Sequence, residues 1–158
     1  VTAWVAITDS NEKNGCMRMW SGSHKDNLKE HDEKFNNGNL LTRGQTVKNV
    51  PKDETTPLIL EAGQMSLHHP TVVHGSELNK SNDRRIGFVI QSYISTNVKQ
   101  ILGKNSVQLA RGTDEYNYHE KINRPVSLMD PNDVKIKKRE NDNLRNIFYK
   151  GSEKKGSY

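Results

Sequence analysis

The stretch from Arg84 to Ile94 sets the narrowest limit on the fold, because its residues alternate in character at strand spacing. Arg85, Gly87, Val89, Gln91 and Tyr93 fall on one side, and Ile86, Phe88, Ile90, Ser92 and Ile94 on the other. Successive side chains of a strand point to opposite faces. One face therefore needs an apolar covering layer, while the other carries an arginine, a glycine and a glutamine. Short strands of this kind, joined by Gly, Asn and Pro turns, point to an antiparallel sandwich or jelly roll. In such a fold the mixed face lines a cavity and the Ile/Phe face packs on something outside the sheet.

Other segments agree with a mainly β chain. Val1–Thr8 is β-branched and apolar around Trp4 and stops at Asp9-Ser10-Asn11, a turn cluster. Asn14-Gly15 is a hairpin signal before a strand over Cys16–Trp20, which Ser21-Gly22-Ser23 ends. Strand signals return at Pro57–Glu61 and Gln64–His68; Pro70 breaks the run, and Thr71–His74 forms another extended piece. Residues 24–56 read as a long polar excursion with a short helical turn near Asp26–Phe35, open to reading as a lid or as disorder. Residues 97–129 are less regular. Asp130–Tyr149 is expected as a helix, with Asp130 as N-cap and Pro131 in its first turn, and 151–158 as a frayed tail. These pieces make one domain, with 1–129 as the β part and 130–158 as its helix and tail. The sequence opens inside a strand, so it is expected to be the C-terminal part of a longer chain.

Composition narrows the partners. Only 32% of the 158 residues are hydrophobic, below the usual ~45–50%, so the core is thin. The net charge of +5 is densest at Lys135-Ile136-Lys137-Lys138-Arg139, followed at once by Glu140 and Asp142. No aromatic residues interleave with it as a stacking platform needs, so it reads as a solvated helix face and argues against nucleic acid as a partner. One cysteine, Cys16, allows neither an intrachain disulfide nor a cysteine-based zinc cluster and fits a reducing, cytoplasmic setting. No apolar run has the length of a membrane span.

Three of the six histidines, His68, His69 and His74, fall within seven residues. Imidazole is the commonest protein ligand for iron and zinc. His68 and His69 are adjacent and face opposite ways, so they cannot serve one metal from one face. His74 closes an apolar strand and is followed by small Gly75 and Ser76, which leave room and a hydroxyl beside the ring. His24-Lys25-Asp26 has the spelling of an iron-binding His-x-Asp but lies in a loop where Asp26 suits a helix N-cap; His31-Asp32-Glu33 is weaker. Of Arg84 and Arg85 only one points inward with Gly87. A guanidinium in a small cavity wants a carboxylate, with a surface salt bridge as the ordinary alternative.

The run Gly63-x-x-Ser66-Leu67-His68-His69-Pro70-x-x-x-His74-Gly75-Ser76-x-x-Asn79-x-Ser81-x-x-Arg84-Arg85-x-Gly87 resembles the distal metal segment of the phytanoyl-CoA dioxygenase family. Val1–Asp9, Asn14–Arg18 and Gly22-Ser23-His24 resemble the family in the same order. The resemblance spans about residues 1–94 and continues weakly through Arg111–Asp114 and Arg124-Pro125. It implies a cupin-like double-stranded β-helix (jelly roll), N-terminally incomplete, that holds Fe(II) and 2-oxoglutarate and takes O2 as co-substrate. His74 matches the distal metal ligand, Arg85 the arginine that meets the far carboxylate of 2-oxoglutarate, and Ser76 a hydroxyl that assists it. No catalytic residue beyond the metal ligand is matched. The family's proximal His-x-Asp precedes the Val-Thr-Ala-Trp strand, so two ligands fall outside the sequence, and His24-Lys25-Asp26 is a decoy.

The function this implies is a dioxygenase that hydroxylates a small-molecule substrate and is inactive as these residues alone. The rivals are a halogenase on the same fold and a non-catalytic jelly-roll module that binds a small anion through Arg85. The Ile86/Phe88/Ile90/Ile94 face, if its usual cover is missing, predicts self-association.

Overall fold

The computed structural model describes residues 1–26, 28–33, 44–91, 93–103 and 105–151. They are mainly β, with one long helix, and divide into two compact units, Val1–Glu33 with Gln45–Tyr93 and Lys34–Gly44 with Ile94–Tyr158.

The first unit is built on two three-stranded sheets. In one, β1 (Thr2–Ala6) lies between β6 (Met65–His68) and β8 (Gly87–Ile90), antiparallel to both. In the other, β2 (Met17–Trp20) lies between β5 (Thr55–Pro57) and β7 (His74–Ser76), again antiparallel. A third ladder pairs β3 (His31–Glu33) with β4 (Gln45–Val47). Trp4 and Ala6 from β1 meet Met17 from β2 in one small buried cluster, with Met19, Leu58 and Leu60 packed against it. The core sits where the two central strands face each other, and it is as thin as the composition implies.

Register decides which side chains enter that space. Directly paired residues share a face, so Trp4 lies in a row with Ser66 and Val89, Ala6 beside Gly87, and Thr2 beside His68. The opposite face presents Met65, Val5 and Phe88 in one row and Leu67, Ala3 and Ile90 in the next. Its flanking members are exposed, Leu67 at 64% and Phe88 at 59%. The two-faced reading of this region holds.

Several boundaries differ from the sequence reading. The strand expected over Arg84–Ile94 is regular only over Gly87–Ile90. Below it the Thr8 hydroxyl replaces a backbone partner: it accepts from Ile86 N at 2.9 Å and donates to the Arg84 carbonyl at 2.9 Å. Asn14-Gly15 does not join paired strands, since β1 and β2 belong to different sheets. The connection is instead locked by its own side chains. Asn11 and Asn14 exchange backbone-to-amide hydrogen bonds of 2.8 and 3.2 Å, and the Asn14 amide reaches the Asp9 carbonyl at 2.9 Å. The extended piece expected at Thr71–His74 is a turn closed by Val72 N to the His69 carbonyl at 3.1 Å, and the strand starts at His74.

The helical turn near Asp26–Phe35 is not formed in its described part. His31–Glu33 pairs with β4, and Asp26 caps no helix but holds Lys29 at 2.6 Å. The rest of that turn, and the tail after Gly151, lie outside the described residues.

In the second unit, β9 (Ser106–Val107) runs parallel to β10 (Glu120–Lys121), and α1 spans Pro131–Phe148. Asp130 caps α1 as expected, accepting from Asn132 N at 2.9 Å and Asp133 N at 3.4 Å. Glu140 of α1 accepts from Ser106 N at 3.2 Å and from its hydroxyl at 2.9 Å, and Arg139 bridges Glu120 and Glu140 at 3.1 Å each. Lys135, Lys137 and Lys138 are exposed on this helix. Among the described residues no helix is long and apolar enough to cross a membrane.

Gly87 is required by the core, because a Cβ there would stand 2.1 Å from Trp4 Cζ2. Gly87→Ala is expected to destabilise the protein by about 1–3 kcal/mol, the usual cost of overpacking, read from the urea midpoint. An unchanged midpoint would mean that the indole moves aside freely.

Candidate functional site

The core face of the second sheet carries the first site residue. His74 pairs with Met19 and Ser76 with Met17 across β2, so both project to the side on which those methionines meet the core. A buried serine sets the strand in place. Ser23 is 4% exposed, and its hydroxyl accepts from Val73 N at 2.8 Å while the Val73 carbonyl accepts from Trp20 N at 2.9 Å. The Gly22-Ser23-His24 turn is thus the support on which β7 begins.

His74 Nδ1 lies 2.9 Å from the Val72 carbonyl. A carbonyl only accepts, so in the neutral ring Nδ1 carries the proton and Nε2 keeps its lone pair. That is the tautomer a metal ligand needs, fixed by a backbone partner.

Arg85 reaches the same place from the other sheet. Its Nη2 donates to Ser76 Oγ at 3.3 Å, and its guanidinium carbon stands 5.7 Å from the centroid of the Trp4 ring. Arg85 is half-buried while Arg84 is exposed, so Arg85 is the inward member of the pair. The structure therefore brings together Arg85 and Ser76, with His74 two residues from Ser76 on the same strand face. A planar cation over an indole, with a hydroxyl beside it, suits a small carboxylate.

Two neighbours had no role in the sequence reading. Trp4 is the floor beneath Arg85. His68, on the Trp4 side of β6, has its ring centroid 5.4 Å from that of His74, and its Nδ1 lies 3.4 Å from Ser66 Oγ. The signal for His68 was the alternation of Gln64–His68, legible only once the partner strand is known. Burial foremost, then the His74 ring, push the His68 imidazole below its ordinary 6.5.

His69 turns the other way, as adjacency requires. Its ring lies 5.5 Å from that of His24, and its Nδ1 is 2.8 Å from Thr71 Oγ1. Asp26 is committed to Lys29, which holds its carboxyl below the usual range. Asp32 lies 3.2 Å from Lys48, which also meets Glu30 at 3.5 Å. Among the described residues no three His, Cys, Asp or Glu side chains gather closely enough to hold a metal. His74 Nε2, free of a protein partner among these residues, is a donor that a borderline divalent ion accepts.

Comparison with known proteins identifies the family. The family model for phytanoyl-CoA dioxygenase matches residues 1–87, and the chain belongs to that family. The peroxisomal phytanoyl-CoA dioxygenase of Mus musculus is 31% identical over 86 residues, covering 54% of this chain and 25% of that protein. A probable alpha-ketoglutarate-dependent hypophosphite dioxygenase of Stutzerimonas stutzeri is 29% identical over 105 residues, 65% of this chain and 36% of that one. Among solved structures, the apo non-heme monooxygenase ThoJ superposes with a TM-score of 0.74 at 29% identity, covering 90% of this chain and 50% of ThoJ. The ThoJ–Ni complex gives 0.70 at 26% identity, over 94% and 51%. The chain spans about a quarter to a third of these curated relatives and about half of ThoJ.

His68 also links the site to pH. Its imidazole takes a proton less readily in the folded chain than in the unfolded one. Its contribution to stability is thus whole above about pH 6.5 and is lost as pH falls through the lower folded value. The wild-type unfolding free energy is expected to drop more steeply than that of His68→Gln between about pH 7.5 and 5.5, measured by urea unfolding. Equal slopes would contradict the assignment.

Proposed function

We propose that the chain carries the cosubstrate clamp and the distal metal ligand of an Fe(II)/2-oxoglutarate-dependent oxygenase that hydroxylates a small molecule. The observation that carries this reading is the Arg85–Ser76 hydrogen bond, formed over Trp4 beside a histidine whose Nε2 is free. In this reading His74 Nε2 binds the iron, and Arg85 takes the distal carboxylate of 2-oxoglutarate with Ser76 Oγ as its second partner. Trp4 holds the guanidinium plane in place. Bound iron with 2-oxoglutarate and O2 would supply the oxidising power for attack on a C–H bond; the protein supplies orientation. The relatives, a phytanoyl-CoA dioxygenase and a probable alpha-ketoglutarate-dependent dioxygenase among them, support the same class.

The finer fold belongs to this proposal. Two facing antiparallel sheets whose edge strands β7 and β8 are exposed along their length fit part of a double-stranded β-helix, 1–129 forming the jelly-roll part and 130–158 its helix and tail. With imidazoles as the only ligands gathered among the described residues, the 158 residues alone would bind 2-oxoglutarate without turning it over.

Arg85→Ala is expected to weaken 2-oxoglutarate binding roughly 10- to 100-fold, since a hydrogen bond to a charged group is worth about 1.5–3 kcal/mol. Calorimetric titration in the presence of Ni(II) measures this. An unchanged affinity would refute the clamp, and succinate release by the 158-residue chain with Fe(II) and O2 would refute its inactivity.

The apolar face of β6, β1 and β8 supports self-association of this chain, with Met65, Leu67, Phe88 and Ile90 all exposed; such patches mark interfaces. Sedimentation velocity at micromolar concentration is expected to show dimers or larger species that Phe88→Glu converts to monomer. A monomeric wild-type profile would remove this expectation.

A further inference from the structure

We infer that Thr8 is a positioning residue of the Arg85 clamp: its hydroxyl holds the backbone on both sides of Arg85 and so sets where the guanidinium points. The inference rests on reading Arg85 as the partner of the distal carboxylate of 2-oxoglutarate, and it adds the group that aims it.

Arg85 lies where regular pairing stops. The ladder between β1 and β8 ends with Ala6 opposite Gly87. Beyond that pair Ile7 N and Thr8 N both donate to the Ile86 carbonyl, at 2.9 and 3.2 Å. Two residues thus stand against one. That is the pattern of a β-bulge, which re-aims side chains and is common beside active sites. A bulge also interrupts the ladder, so the next backbone groups need another partner.

The Thr8 side chain is that partner. Its Oγ1 accepts from Ile86 N and donates to the Arg84 carbonyl, both at 2.9 Å. The Arg84 carbonyl belongs to the peptide plane before the Arg85 Cα, and Ile86 N to the plane after it. One hydroxyl therefore restrains both backbone dihedrals of Arg85, the only soft ones it has. The turn that precedes them is closed on itself, with the Asn79 amide donating to the Asp83 carbonyl at 2.7 Å, and Thr8 ties its end to the chain leaving β1. Threonine suits the task, because branching at Cβ restricts its side-chain torsion.

The direction matters because the guanidinium itself is held lightly. Its Nη2 meets Ser76 Oγ at 3.3 Å, and its carbon stands 5.7 Å from the centroid of the Trp4 ring. The rotamer entropy of a long side chain opposes any single direction, and a fixed Cα lowers that opposition.

Calorimetric titration of the 158-residue chain with 2-oxoglutarate in the presence of Ni(II) tests this. Thr8→Val keeps the branching and removes the hydroxyl; it is expected to weaken binding roughly three- to tenfold, the range of one hydrogen bond. Thr8→Ala carries the same expectation and serves where the added methyl crowds the bulge. Thr8→Ser keeps the hydroxyl and should bind within about twofold of the wild type. In the Arg85→Ala background Thr8→Val should change affinity by less than about twofold, a result that a general loss of stability would not produce. If Arg85→Ala weakens binding while neither hydroxyl-free variant does, Thr8 positions nothing and the clamp reading stands. If Thr8→Val weakens binding equally with and without Arg85, Thr8 acts elsewhere and the inference is overturned. If Arg85→Ala has no effect, the clamp reading fails and the inference with it.

Discussion

Trp4 is the contact on which the rest of the first unit depends. It is 6% exposed and anchors the cluster that joins the two sheets. Its ring fills the space left open above Gly87 and lies under the Arg85 guanidinium. Burying an indole removes about 150–250 Å² from water, worth roughly 4–6 kcal/mol at about 25 cal/mol per Å² as an upper estimate. In a core of a few residues that is a large share of what holds the sheets together. Stability and site geometry therefore rest on one side chain. The glycine that admits the ring to the core also lets the ring support the arginine two residues earlier.

A second dependence runs through Ser23. A buried hydroxyl left without its partner costs about 1–3 kcal/mol, so the Ser23–Val73 bond fixes where the turn after Pro70 releases the chain into β7. A shift of one residue at that point would send His74 and Ser76 to the far face of the sheet. The Gly22-Ser23-His24 turn thus sets the register of the strand that carries His74 and Ser76.

What could be read from the sequence follows from where the information is local. The Arg85/Gly87 face, the Asp130 cap and the start of α1 depend on alternation or on one capping side chain, and each was legible. The pairing partners were not. Asn14-Gly15 looks like a hairpin because turn chemistry is local, whereas the choice of sheet is made by Trp4, Met17 and Leu58 packing at long range. β3 and β4 were missed because three residues give too little alternation, and their polar sequences are held by Lys48 bridging Glu30 and Asp32. His68 went unassigned because its role depends on a ring from another sheet, which no spacing along the chain can express. His74, Arg85 and Ser76 came from the family pattern; residue character alone left each with an ordinary structural alternative.

The openness of this site limits what its charges can do. His74 and Ser76 are exposed and Arg85 is half-buried, so a carboxylate paired with the guanidinium would be largely in water. Two unit charges about 4 Å apart attract by about 1 kcal/mol at the dielectric of water and about 4 kcal/mol at an effective value near 20. The same arginine is thus a weak anion binder when open to solvent and a strong one once a wall excludes water. The serine hydroxyl and the indole face matter more in the open state, because they fix the direction of the guanidinium where Coulomb attraction is screened. Anion binding at Arg85 therefore depends on how far solvent is kept from the guanidinium as much as on the groups that orient it.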